Sequence, residues 1–197
     1  MKQLLSLLFV ICAVNTFAQK TVADYHSDYF DRDYEISVST EKNDPSTISD
    51  VYIEVAGESK NKTVTLHYKN PLLFLSSLKE VRNKYSEWAK IAEDNHITEM
   101  TKEIPVNMPK VTVCWYGIKW YFAFDKRLNF DFIILDSGKK IIVMTAKVTA
   151  SSNEYIDQEF YWVFQSVTEL DEFIDKLNYP KFIEKLNVNS NNADLFQ

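Results

Sequence analysis

The chain of 197 residues has two cysteines, three glycines and five prolines, and each scarcity removes a class of explanation. Cys12 lies inside the apolar leader described below and Cys114 stands alone in the remainder. No intrachain disulfide can then staple the fold, so stability must come from packing. With glycine confined to Gly57, Gly117 and Gly138, there is no phosphate-cradling glycine loop and no Gly-x-Ser-x-Gly nucleophile elbow. A His-Glu-x-x-His helix is missing as well. Basic residues are outnumbered, 22 Lys and Arg against 28 Asp and Glu for a formal charge of −6. That balance disfavours nucleic acid as a partner and gives no general attraction to anionic lipid. The apolar run within residues 4–14 is shorter than the about 20 residues a transmembrane helix needs, so no transmembrane segment is expected.

What is present begins with that run. Lys2 precedes it, and Thr16-Phe17-Ala18 supplies small residues where a signal peptidase reads, the pattern of a secretory signal peptide over 1–18. A lipidated Cys12 is the competing reading, but Ile11 stands where lipoprotein processing requires a small side chain. The expectation is an exported protein, periplasmic or extracellular. Residues 19–33 read as a polar acidic N-terminal arm, 34–186 as a single domain and 187–197 as a flexible, asparagine-rich tail.

Within the domain, alternating segments at 34–40, 51–56 and 63–68 predict half-buried antiparallel strands, with turn chemistry at Asn43-Asp44-Pro45 and over 57–62. Asn70-Pro71 forms an N-cap and first-turn proline, and Phe74, Leu78, Val81, Tyr85, Trp88 and Ala92 follow at helical spacing, predicting a helix over 72–93. Pro105 and Pro109 suit an edge segment, and Gly117 marks a bulge or bend after a strand at 111–116. Residues 118–165 read as a four-stranded meander turning at 125–129, Ser137-Gly138 and Ser152-Asn153. That register pairs Phe122 with Phe132, Phe132 with Val143 and Val143 with Trp162. It buries Trp120, Phe122, Phe124, Phe130, Phe132, Ile134, Ile141, Val143, Phe160, Trp162 and Phe164 on one face. Ser166-Val-Thr-Glu169 is a capping box for a final helix broken at Pro180. The fold class is α+β: a single domain with a twisted, mainly antiparallel sheet of about eight strands packed against two helices. The alternative is a helix-grip-like curved sheet around an internal cavity.

In the same register the opposite face carries Tyr121, Ile133, Ile142, Met144 and Tyr161 among charged residues, a patch suited to binding a protein, a small hydrophobic ligand or a second copy of the chain. Asp157 and Glu159, two apart on a strand, admit a hydrolase reading through paired carboxylates, though acids on a solvent-facing strand are common. His26, His67 and His96 lack metal-ligand spacing, and the acidic segment 24–33 lacks the glycine and terminal glutamate of a calcium loop. No cofactor or metal is implied. Cys114 alternates with Val113 and Trp115, as a structural thiol does. Aromatic residues make up 14% of the chain, enough to raise sugar or lipid binding beside the simpler reading of an aromatic core. The expected function is an exported, non-catalytic binding or interaction protein. A carrier of a small hydrophobic ligand and a hydrolase using Asp157 and Glu159 are the alternatives.

Overall fold

The structure, a computed structural model, describes residues 19–58 and 62–194; the leader, Cys12 and the expected cleavage point lie outside the described residues. Ten strands and three helices follow in order: β1 (Lys20–Ser27), β2 (Arg32–Glu41), β3 (Asp44–Gly57), β4 (Thr63–Tyr68), α1 (Pro71–Asp94), β5 (Met100–Glu103), β6 (Val111–Tyr116), β7 (Trp120–Lys126), β8 (Asp131–Ile134), β9 (Lys140–Ala150), β10 (Asn153–Phe164), α2 (Val167–Lys176) and α3 (Tyr179–Asp194). The strands form one antiparallel sheet in the order β5-β8-β9-β10-β3-β4-β6-β7, with β2 attached beside β3 and β1 beside β2. The long strand β3 is the joint. β2 lies along its middle, pairing Val38 with Val51 and Ile36 with Ile53, and β10 takes its end, pairing Phe160 with Gly57 and Tyr161 with Ala56. The single α+β domain with an antiparallel sheet is as the sequence indicates.

All three helices bury side chains in the core that lies on one face of this sheet. The α1 helix starts where Asn70 Oδ1 accepts the Leu73 N–H at 3.0 Å, with Pro71 supplying a fixed φ and no orphan donor. Its stripe of Phe74, Leu78, Val81, Tyr85 and Ala92 is buried. Ser166 Oγ caps α2 through the Glu169 N–H at 3.0 Å, and the Glu169 carboxylate accepts the backbone N–H groups of Gln165 and Asp28, tying β1's exit to the helix. At the centre stands Trp162, with Phe173 edge-on at 4.9 Å, Phe164 at 5.4 Å, Phe130 at 5.9 Å and Phe74 at 6.3 Å. The gap among Leu72, Phe74, Leu75, Leu177, Tyr179 and Phe182, where the three helices meet, holds about 10 Å³, no more than one water needs.

Four local expectations change. Residues 20–27 form β1 rather than a free arm, because Tyr25 turns inward to stack on Tyr34 and donates to the Glu54 carbonyl at 2.7 Å while its polar neighbours face out. Where composition suggests a tail from residue 187, the backbone of α3 stays helical to Asp194. The strand β7 does not turn back onto β8. A tight turn over Gly117, Ile118 and Lys119, closed by Gly117 N–H to the Lys119 carbonyl at 2.9 Å, folds it onto β6 and pairs Tyr116 with Trp120. Finally, the β8–β9 loop holds three residues rather than two. Leu135 bonds Lys139 at 2.9 Å around Asp136, Ser137 and Gly138, whose φ of +75 suits glycine.

These two turn lengths decide which side chains are inside. A one-residue slip exchanges the faces of a strand, so Ile142 and Met144 join the main core, while Ile141, still buried at 6% exposure, and the half-buried Val143 lie on the other face. In β7, Tyr121 and Ala123 point inward and Trp120, Phe122 and Phe124 point out. Trp162→Ala is expected to destabilise the protein by about 3–5 kcal/mol in urea unfolding. Met144→Ala should cost about 2–5 kcal/mol and Thr145→Ala under about 0.5 kcal/mol, and the reverse order would mean the other register.

Candidate functional site

The outer face of β3, β4, β6 and β7 carries the molecule's most exposed aromatic row. Trp120, Phe122 and Phe124 are 56%, 41% and 54% exposed, a placement that burial energetics alone would not choose. Opposite them, two strand spacings or about 10 Å away, His67 projects from β4. Its ring lies on Tyr52 of β3, centroids 4.8 Å apart and planes 11° from parallel. Between these walls the floor is made of the small side chains Thr65, Thr112 and Cys114, brought side by side by the pairs His67–Thr112 and Thr65–Cys114. Cys114 in turn pairs with Phe122. Lys69 and Gln19 complete a trough of about 490 Å³, open to solvent. Aromatic walls with a few placed hydroxyl, imidazole, amide and ammonium groups match the usual make-up of a ligand site.

The His67 wall is held from beneath. His67 Nε2 meets Asp50 Oδ1 at 2.6 Å, and the other carboxylate oxygen accepts Ser49 Oγ at 2.7 Å and Ser39 Oγ at 3.0 Å. Burial pushes the Asp50 carboxyl up, but the hydrogen bonds from His67, Ser49 and Ser39 outweigh it and leave the group below its ordinary range. The imidazole is thereby fixed in orientation, with Nε2 committed to the carboxylate. On the floor, burial pushes the Cys114 thiol up to about 11, so at neutral pH it is protonated and a poor nucleophile.

A second depression of about 450 Å³ lies on the outer face of β9 and β10, lined by Ile141, Val143, Thr145, Tyr161 and Val163, with the β1–β2 loop residues Tyr29 and Phe30 leaning over it. Tyr29 and Phe30 contact edge to face at 4.9 Å.

The five patch residues inferred from sequence are divided by the structure. Ile133 and Tyr161 lie half-buried on the outer face, and the Tyr161 hydroxyl donates to Glu159 at 3.0 Å. Tyr121, Ile142 and Met144 belong to the buried core, Tyr121 stacked on Trp115 at 5.8 Å. Asp157 and Glu159 share a face of β10. Asp157 accepts Thr149 Oγ1 at 2.8 Å and pairs with Lys147 at 3.2 Å, and neither acid lines the two depressions above. His26 binds Asp33 at 2.8 Å, and His96 sits at the exit of α1 with a φ of +55. Among the described residues no three His, Cys, Asp or Glu side chains are grouped to hold a metal ion. No helix among them is long and apolar enough to cross a membrane.

The trough was missed in the sequence because its aromatic wall was assigned to the core. One signal was available: Trp115 and Tyr121 around a single turn glycine place the neighbouring Trp120, Phe122 and Phe124 on the other side. No protein-family model, curated protein or solved structure matches this chain.

Two measurements follow from the chemistry of the floor and wall. Alkylation of Cys114 by iodoacetamide near neutral pH should run on the order of a hundredfold slower than for a free cysteine, read by mass spectrometry. Because the folded Asp50 carboxyl is lowered, its contribution to stability is present above the usual carboxylate range and fades as pH falls through the lowered value. Asp50→Asn should therefore cost about 1–3 kcal/mol at pH 7. In urea titrations at acidic pH, that gap should close.

Proposed function

We propose that this chain is an exported, non-catalytic binding protein that takes a hydroxylated ring ligand, of which a sugar unit of a glycan is the simplest kind, in the trough between Tyr52–His67 and Trp120–Phe122–Phe124. The observation that carries the reading is the pairing of exposed aromatic faces with a hydroxyl-bearing floor. Planar rings stack on the apolar C–H faces of a sugar, while Thr65, Thr112, Gln19 and the Tyr52 hydroxyl offer donors and acceptors for its edge. A trough open to solvent suits a chain passing over the surface better than a carrier's enclosed load, and the helix-facing core leaves little room for a buried ligand at the helix junction. The leader-like residues 1–18 support export.

A non-catalytic role is supported by the state of the polar groups. Asp50 and His67 form an orienting pair of the kind nucleophilic enzymes use, yet the thiol on the same floor is held protonated and His67 Nε2 faces the carboxylate. The pair acts as a rigid bracket for the Tyr52–His67 stack.

Saturation-transfer NMR with soluble oligomers of glucose and of N-acetylglucosamine tests the proposal. Transfer from aromatic protons to sugar protons is expected, and Phe122→Ala and Trp120→Ala should each weaken binding roughly tenfold. Absence of transfer with every oligomer, or transfer unchanged in Phe122→Ala, would overturn it.

A further inference from the structure

The apex of the β6–β7 hairpin projects an aliphatic side chain into solvent. Ile118 is 90% exposed there, more than any other large apolar side chain among the described residues. Tyr116 and Trp120 flank it as a cross-strand pair, rings edge to face with centroids 5.6 Å apart, so the two aromatics are already ordered. Lys119 sits between them in sequence, its ammonium 5.7 Å from the Tyr121 ring. The turn bonds its own backbone through Gly117 and Lys119. A Cβ at Gly117 would lie 3.1 Å from the Tyr121 ring, a tight contact that the ring would have to shift to relieve.

Charge is unevenly distributed along the segment that forms this apex. The chain holds 28 acidic residues and a formal charge of −6, yet no Asp or Glu occurs from residue 104 to residue 124, where Lys110 and Lys119 are the ionisable groups besides Cys114 and the tyrosines. A bare aliphatic tip, two amphipathic rings beside it and an ammonium group form the order of chemistry met on passing from acyl chain through the interface to the phosphate layer. A protein partner would more often find such an anchor ringed by contacts that exclude water, whereas Ile118 stands 90% exposed at the tip of a hairpin turn.

We propose that the β6–β7 apex docks the protein peripherally on a bilayer bearing anionic headgroups, with Ile118 entering the interface, Tyr116 and Trp120 at headgroup depth and Lys119 meeting phosphate. The whole chain is repelled by such a surface at long range and held at short range, so attachment is local and reversible. Trp120 is shared with the trough wall, but Ile118 and Lys119 do not line the trough, so variants at those two positions test docking apart from the trough's ligand.

The test is co-flotation of the full chain with vesicles of phosphatidylcholine alone and of phosphatidylcholine mixed with phosphatidylglycerol, comparing wild type with Ile118→Asp and Lys119→Glu, so that residues 1–18 are common to every sample. Tryptophan quenching by brominated lipid is read alongside, with Trp120→Phe identifying the ring that reports. Wild type should prefer the anionic vesicles and be quenched through Trp120. Ile118→Asp should lose binding roughly tenfold or more, and Lys119→Glu should lose the preference for anionic lipid. Both sites are exposed, so melting temperatures should stay near that of wild type. Equal flotation of wild type and Ile118→Asp, absence of quenching through Trp120, or self-association through the apex in place of vesicle binding would each overturn the proposal.

Discussion

The interaction on which the outer surface depends is the stacking of Trp115 on Tyr121 beneath the three-residue turn at Gly117–Lys119. Trp115 belongs to the inward set of β6 with Val111 and Val113, and its burial cannot be traded away without opening the core. Once the turn pairs Tyr116 with Trp120, the residue opposite Trp115 must be Tyr121, and alternation sends Trp120, Phe122 and Phe124 outward together. The molecule thus exposes three large aromatics to keep one buried pair, and the sheet edge that carries them becomes both the wall of the trough and the base of the apex. A turn shorter or longer by one residue would reverse the whole arrangement.

The second determinant is the one-sidedness of the helices. Phe74 and Phe173 both reach Trp162, and Arg82 of α1 grips Asp171 of α2 through two bonds of 2.7 Å, so the helical layer closes over one face as a unit. That pair is partly exposed, and its worth lies in geometry more than in energy. The opposite face receives no helix. It is managed instead by small hydroxyl residues along β4 and β6, by the Asp50–His67 bracket and by the Tyr29–Phe30 loop over β9 and β10.

Elements with a strong local cause were legible in the sequence: the Asn70-Pro71 start of α1 and its stripe, the Ser166 cap, and the inward face of β10 at Phe160, Trp162 and Phe164. What was not legible depended on counting turn residues. The Ser137-Gly138 dipeptide is compatible with a two-residue turn, but Asp136 joins the loop, and the extra residue moves Ile142 and Met144 inside. A bulge after Asn153 shifts β10 as well, which is why its own face was right while its partners on β9 were not. The site suffered most, because apolar composition alone assigns Trp120, Phe122 and Phe124 to a core. Tyr121, Ile142 and Met144, buried in the structure, fall on the surface in the register read from sequence through parity alone. Ile133 and Tyr161 kept their face because β8 and β10 were read with the correct alternation.

The joint at the end of β3 has a consequence for the order of assembly. The strand can pair with β2 over its earlier part and with β4 as far as Ala56 as soon as those neighbours exist, but the edge of Ala56 and Gly57 away from β4 waits for Phe160 and Tyr161, on the order of a hundred residues later in the chain. Until β10 arrives, Trp162 is absent as well, and Phe74 of α1 has Tyr68 but not Trp162 to pack against. The outer edge of β7 is met by the end of β9 and by Ser151, whose N–H donates to the Phe122 carbonyl at 2.8 Å and whose Oγ accepts the Phe124 N–H at 3.2 Å. Completion therefore runs from the C-terminal third backward. A chain whose last strands are delayed or clipped would hold an unfinished sheet with open hydrogen-bonding edges, the state most prone to pair with its neighbours instead of itself.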